Sequence, residues 1–126
     1  MHLILGGRHM GKRAYAESLY GRFSSVCDLG REDPEAMAGA AVVLNLQEGV
    51  RSLMGQDIDV RTFFEARMEH LRQSVLIGDE IGSGIVPMEP FERRWRDETG
   101  LLYQILAREA TIVDRVWAGL PTRLKG

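Results

Sequence analysis

An α/β fold, with a mostly parallel sheet covered by helices on both faces, is what this sequence predicts, and three observations predict it. The first twelve residues read as a strand, a glycine-bounded loop and the start of a helix. Later apolar runs at 41–44, 74–77 and 112–117 alternate with stretches of helical periodicity, and such alternation closes into parallel strand–helix–strand units. Polar groups suited to chemistry gather where those runs end, which is where open α/β sheets bind their ligands. With 126 residues, 44% of them hydrophobic, one domain over 1–126 with a single core is expected.

The organising stretch is MHLILGGRHMGK. His2-Leu3-Ile4-Leu5 is a short apolar strand, stopped by Gly6 and Gly7. Arg8, His9 and Met10 follow, and Gly11-Lys12 then completes the spacing G-x-x-x-x-G-K of a phosphate-binding loop. Glycines let the backbone take positive φ and bring peptide N–H groups close to an anion. The helix that follows, through residues 13–19, offers unpaired N–H groups and a positive dipole end. Lys12 is then the cation for the outer phosphates, provided its ammonium faces the mouth of the loop. His9 can donate to the same anion. Arg13 stands where the motif places a Ser or Thr hydroxyl for Mg²⁺.

Residues 24–28 read as a short second strand. Asp33-Pro34-Glu35 reads as a helix start, with Asp33 as N-cap and Pro34 in the first turn, and Gly39 ends that helix early. The buried strand 41–44 delivers Asn45, Gln47 and Glu48 to its carboxyl end. The polar, glycine-containing segment 49–59 reads as a short helix and a loop, after which Asp59 caps a helix over 60–71. Val60, Phe63, Phe64, Met68 and Leu71 form its core face, and His70 sits at its C-terminal end.

The strand 74–77 runs into Gly78, Asp79 and Glu80, and residues 81–87 are too glycine-rich for regular structure. A helix over 90–110 presents Phe91, Trp95, Leu102, Ile105 and Leu106, with Gly100 as a bend. A strand over 112–117, a turn at 119–121 and an edge strand over 122–125 complete the chain. Asp79 and Glu80 are the candidate Mg²⁺ carboxylates, with Glu80 also the candidate general base. Arg93 and Arg96 are candidates for an anion-binding rim, because guanidinium matches phosphate geometry.

A net charge of −2 argues against nucleic-acid binding through an overall positive field. Cys27 is alone, which excludes a disulfide framework and a thiolate zinc cluster. No apolar run approaches a membrane span or a secretory h-region, so a soluble, cytoplasmic protein is expected.

The string DEIGSGIVP, followed in register by Arg93, Arg96-Asp97, Gly100, Gln104, Leu106-Ala107, Val116, Gly119-Leu120 and Lys125, resembles the bifunctional adenosylcobinamide kinase / adenosylcobinamide-phosphate guanylyltransferases of cobalamin biosynthesis. GGRHMGKR resembles the phosphate loop of the same family, G-G-x-R-S-G-K-S. The resemblance implies a P-loop, RecA-like three-layer sandwich, ATP or GTP in the loop of residues 6–13, a corrinoid as phosphoryl acceptor, and a homotrimer. Glu80 matches the family pattern, whereas Arg13 replaces Ser, Asn45 replaces Asp and Asp79 replaces Asn. The family's guanylylated histidine lies in a segment that is shortened here. No histidine occurs between His9 and His70, so guanylyl transfer is not implied. Two readings remain: a compact cobinamide-type kinase, and a non-catalytic relative that binds nucleotide or a phosphorylated ligand.

Overall fold

A computed structural model describes residues 1–81 and 89–126. Along the chain run β1 (His2–Gly6), α1 (Lys12–Tyr20), β2 (Val26–Asp28), a 3-10 turn (Pro34–Met37), β3 (Val42–Leu44), α2 (Leu46–Gly55), α3 (Val60–Ala66), α4 (Met68–Leu71), β4 (Val75–Asp79), α5 (Pro90–Glu109), β5 (Ile112–Trp117) and β6 (Leu120–Lys125). The strands form one sheet in the order β2-β3-β4-β1-β5-β6. All neighbours are parallel except β5 and β6, which form an antiparallel hairpin.

Period-two alternation divides the strands between two cores. Leu3, Val43, Leu76 and Val113 join Leu46, Phe64 and Leu102 in one core, under α2, α3 and α5. Ile4, Val42, Val75, Ile77 and Val116 join Ala16 of α1 in the other. Helices therefore cover both faces, as expected. Each fully buried Leu or Ile contributes about 2 kcal/mol by its removal from water.

This topology fixes where a ligand can enter. β1 and β4 are adjacent, with Gly6 opposite Asp79, yet α1 follows β1 on one face while α5 lies on the other. Chains that leave neighbouring strand ends in opposite directions open a crevice between them.

Local details depart from the sequence expectation in three places. The short helix and loop expected over 49–59 are present, but the helix begins earlier, as α2 runs ten residues from Leu46 to Gly55. Gly49 does not break it; its missing Cβ leaves room for Leu29, which packs directly against that position. The helix expected over 60–71 is divided at Arg67 (φ −110°, ψ 7°). There the Arg67 guanidinium lies 3.5 Å from the Phe63 ring centroid, donates to Phe63 O and pairs with Glu35, which satisfies the end of α3. Finally, β6 begins at Leu120, two residues earlier than expected. Ala118 (φ 49°) and Gly119 (φ 77°) make the whole turn themselves, in the positive-φ geometry of a tight hairpin. Asp33 caps the 3-10 turn by accepting from Glu35 N–H. Most of the expected loop 81–87 lies outside the described residues.

Candidate functional site

The loop after β1 begins with a steric requirement. A Cβ on Gly6 would overlap the carbonyl oxygen of Val116, so only glycine lets β1 and β5 approach this closely. The chain then folds back, with Met10 N–H donating to Gly7 O at 3.3 Å, His9 at φ 61° and Gly11 at φ 93°. The β5–β6 turn braces the loop, since Gly119 N–H donates to Met10 O at 2.8 Å. Gly11 is the N-cap of α1 and no side chain caps that helix end. The first N–H groups of α1 are thus available to an anion.

Lys12 is only 7% exposed, and it lines the cleft beside the loop. It donates to Gly7 O at 2.7 Å and pairs with Asp79 Oδ1 at 2.8 Å. The pair thus lies at the loop itself, spanning the ends of β1 and β4. Asp79 Oδ2 accepts from Gln47 Nε2 at 3.3 Å, and Gln47 Oε1 accepts from Asp79 N–H at 2.9 Å. Gln47 Nε2 also reaches Asn45 Oδ1 at 3.3 Å, and Asn45 Nδ2 donates to Asp28 Oδ1 at 2.7 Å. A continuous polar chain, Asp28–Asn45–Gln47–Asp79–Lys12, therefore crosses the carboxyl ends of β2, β3, β4 and β1. Asn45 holds its place in it with φ 59°, a left-handed conformation that Asn tolerates better than most residues.

Glu80 points the other way along the sheet. Its N–H donates to Gly6 O, while its carboxylate takes both arms of Arg115 at 2.6 and 3.0 Å. Tyr103 of α5 secures the strand end by donating to Asp79 O at 2.6 Å. Burial, reinforced by the charges of Asp79 and Glu80, pushes the Tyr103 hydroxyl far above the ordinary phenol range, so it stays a donor. Trp95 Nε1–H donates to Gln47 O at 2.7 Å, and the Arg51 guanidinium stacks 4.1 Å from the Trp95 ring centroid while paired with Glu92.

Two clefts meet at this polar chain. One, of about 420 Å³, runs along residues 8–14 of the loop to Asp28, Asn45 and Asp79. The other, also about 420 Å³, is bordered by Gln47, Glu48, Glu80 and Trp95. Arg8, Asn45 and Asp79 line both. Of the sequence candidates, Arg8, His9, Met10, Gly11, Lys12, Arg13 and Asp79 line the first cleft, while Gly6 ends β1 and Gly7 leads into the loop. Arg13 lines the first cleft, but its guanidinium turns along α1 to Glu17 at 3.0 Å. Arg93 and Arg96 line neither cleft among the described residues.

Asp79 and Glu80 are engaged by different cations, and among the described residues no group of three metal-ligating side chains assembles. An ion carried in on phosphate oxygens would find Asp79 as a carboxylate in the first cleft. Sequence reasoning missed Arg115, Tyr103 and the bridging role of Gln47. Only the position of Gln47, just beyond a buried strand, hinted at it.

Over 52 residues the chain is 42% identical to the bifunctional adenosylcobalamin biosynthesis protein CobP of Pseudomonas aeruginosa. That match covers 41% of this chain and 30% of the relative, so the chain matches under a third of that protein's length. The family model for cobinamide kinase / cobinamide phosphate guanyltransferase matches residues 41–124, well over half of the chain. That span carries β3, β4, α5 and the β5–β6 hairpin, the elements that hold Asn45, Asp79, Glu80 and Tyr103 around the loop. The chain belongs to the cobinamide kinase / cobinamide phosphate guanyltransferase family of cobalamin biosynthesis.

Proposed function

We propose that this protein is a cobinamide kinase-like nucleotide-binding protein, which holds the triphosphate of ATP or GTP in the loop of residues 6–13 and transfers a phosphoryl group to adenosylcobinamide. One observation carries the reading: a nearly buried ammonium, Lys12, waits at the mouth of a glycine-bounded loop beside an open cleft. Gly7 O and Asp79 occupy its donors as phosphate oxygens would. Backbone N–H groups of the loop and of α1 bind the β and γ phosphates, and Lys12 neutralises them. Mg²⁺ carried in on the phosphates would find Asp79 as its carboxylate, and would offset triphosphate charge. The second cleft receives the corrinoid, with Glu80, fixed by Arg115, as acceptor of the substrate hydroxyl's proton. By family likeness the working form is a homo-oligomer, with a trimer the expected state.

A second reading is favoured by one side chain. Arg13 brings no hydroxyl to the mouth and turns away to Glu17, so the chain can bind nucleotide without promoting transfer. Calorimetric titration of ATP and GTP with and without Mg²⁺, paired with a phosphoryl-transfer assay on cobinamide, separates the two. The kinase reading expects Mg²⁺-dependent binding with turnover. Metal-independent binding without turnover supports the binding-only reading, and no binding at all refutes both.

A further inference from the structure

We propose that Trp117 is the platform on which the base of the bound nucleotide stacks. This rests on the phosphate-loop reading above and assigns the part of the ligand that the loop leaves unaccounted for. A nucleoside triphosphate anchored at Lys12 must extend its heterocycle along one flank of the loop. The flank formed by β2, β3 and β4 borders the open cleft, but it is lined there by hydrogen-bonded amides and carboxylates, namely Asp28, Asn45 and Asp79 tied through Gln47, rather than by an aromatic side chain. The opposite flank is the β5–β6 turn, and it is joined to the loop itself. Gly119 N–H donates to Met10 O at 2.8 Å, Ala118 N–H lies 3.2 Å from Met10 Sδ, and a Cβ on Gly11 would stand 3.4 Å from Gly119 Cα.

Trp117 enters that turn with 62% of its surface exposed, and Leu120, its partner across the hairpin, is 67% exposed. An indole left in water has surrendered the burial that makes tryptophan worth placing in a fold. Beside a phosphate loop, a free π-face is what an aromatic base needs, and stacking there tolerates adenine and guanine alike. The other tryptophan is already committed: Trp95 carries the Arg51 guanidinium against its ring and donates its N–H to Gln47 O. The backbone supports the same assignment. Ala118 accepts a positive φ of 49°, unusual for a residue with a Cβ, and so the turn stays tight against Met10.

The test compares Trp117→Ala and Trp117→Phe with the unchanged chain, titrating ATP, GTP and inorganic tripolyphosphate by calorimetry and following association state by sedimentation. The expected result is a loss of ATP and GTP affinity in Trp117→Ala by about five- to a hundredfold, similar for the two bases. Tripolyphosphate affinity is expected to stay unchanged, and Trp117→Phe to retain most nucleotide affinity. Equal ATP binding by Trp117→Ala and the unchanged chain overturns the platform while leaving the loop reading intact. So does an equal loss of tripolyphosphate, or a change in association state without a change in affinity. If the unchanged chain binds neither nucleotide nor tripolyphosphate, the loop reading itself fails and the platform falls with it.

Discussion

The Lys12 ammonium, at the start of α1, and the Asp79 carboxylate, at the end of β4, stand 2.8 Å apart. Asp79 thus both holds Lys12 in position and competes with phosphate for it. Removing the ammonium with Lys12→Ala should abolish triphosphate binding. Asp79→Asn should instead tighten binding of metal-free ATP by about tenfold, since it removes a carboxylate near the phosphates. It should also erase any tightening that Mg²⁺ confers. Calorimetry on both variants, with and without the metal, checks each sign; unchanged affinity in Lys12→Ala would move the site elsewhere.

Asn45 donates to the carboxylate of Asp28, so Asn45→Asp sets two carboxylates against each other at hydrogen-bond distance. At neutral pH this should lower the melting temperature by about 4 °C, equivalent to about 1 kcal/mol. Millimolar Mg²⁺ or mild acid should restore it, by bridging the pair or letting it share a proton. Combined with Arg13→Ser, the change supplies both oxygen groups of the family pattern. Phosphoryl transfer to cobinamide gained by the double variant, and absent before, would mark the native chain as a binding-only relative.

Asp114 provides a stability probe remote from the site. It is 1% exposed and accepts from His2, Tyr15 and the Arg123 guanidinium at 2.6, 2.8 and 2.6 Å. Burial alone would raise its carboxyl pKa, but these hydrogen bonds, with the charge of Arg123, outweigh burial and hold it below the ordinary 3.8. Its contribution is therefore complete above pH 3.8, the unfolded-state value, and is lost as pH falls through the lower folded-state value. Asp114→Asn should cost about 3 kcal/mol at pH 7 and flatten the acid limb of the stability curve, as followed by urea unfolding from pH 7 to pH 2.

Cys27 lies in the core at 2% exposure, and burial, with the charges of Glu32 and Asp28, pushes its thiol up to about 11. Native protein at pH 8 should thus resist iodoacetamide over hours, while urea-unfolded protein is alkylated fully, as read by intact mass.

What the sequence disclosed follows from which signals are local. The loop, β4 with Asp79 at its end and the α5 register were readable because glycine spacing, an apolar run and helical periodicity all act within a few residues. The early start of α2 was hidden because Asn45, Gln47 and Glu48 read as a polar strand end, while Gly49 inside the helix admits Leu29 from elsewhere in the fold. Arg115 was invisible as the partner of Glu80, since only the sheet order sets β5 on the far side of β1 from β4. The direction of Arg13 was hidden too, because Glu17 one turn along α1 competes for its guanidinium. Long-range pairings of this kind need the folded topology to be seen.

Strung along four strand ends, the side chains from Asp28 to Lys12 form a relay in which each member leans on its neighbours. Replacing one link therefore disturbs the next. An amide at 45 meets the acid at 28 through a hydrogen bond where a second acid would repel it.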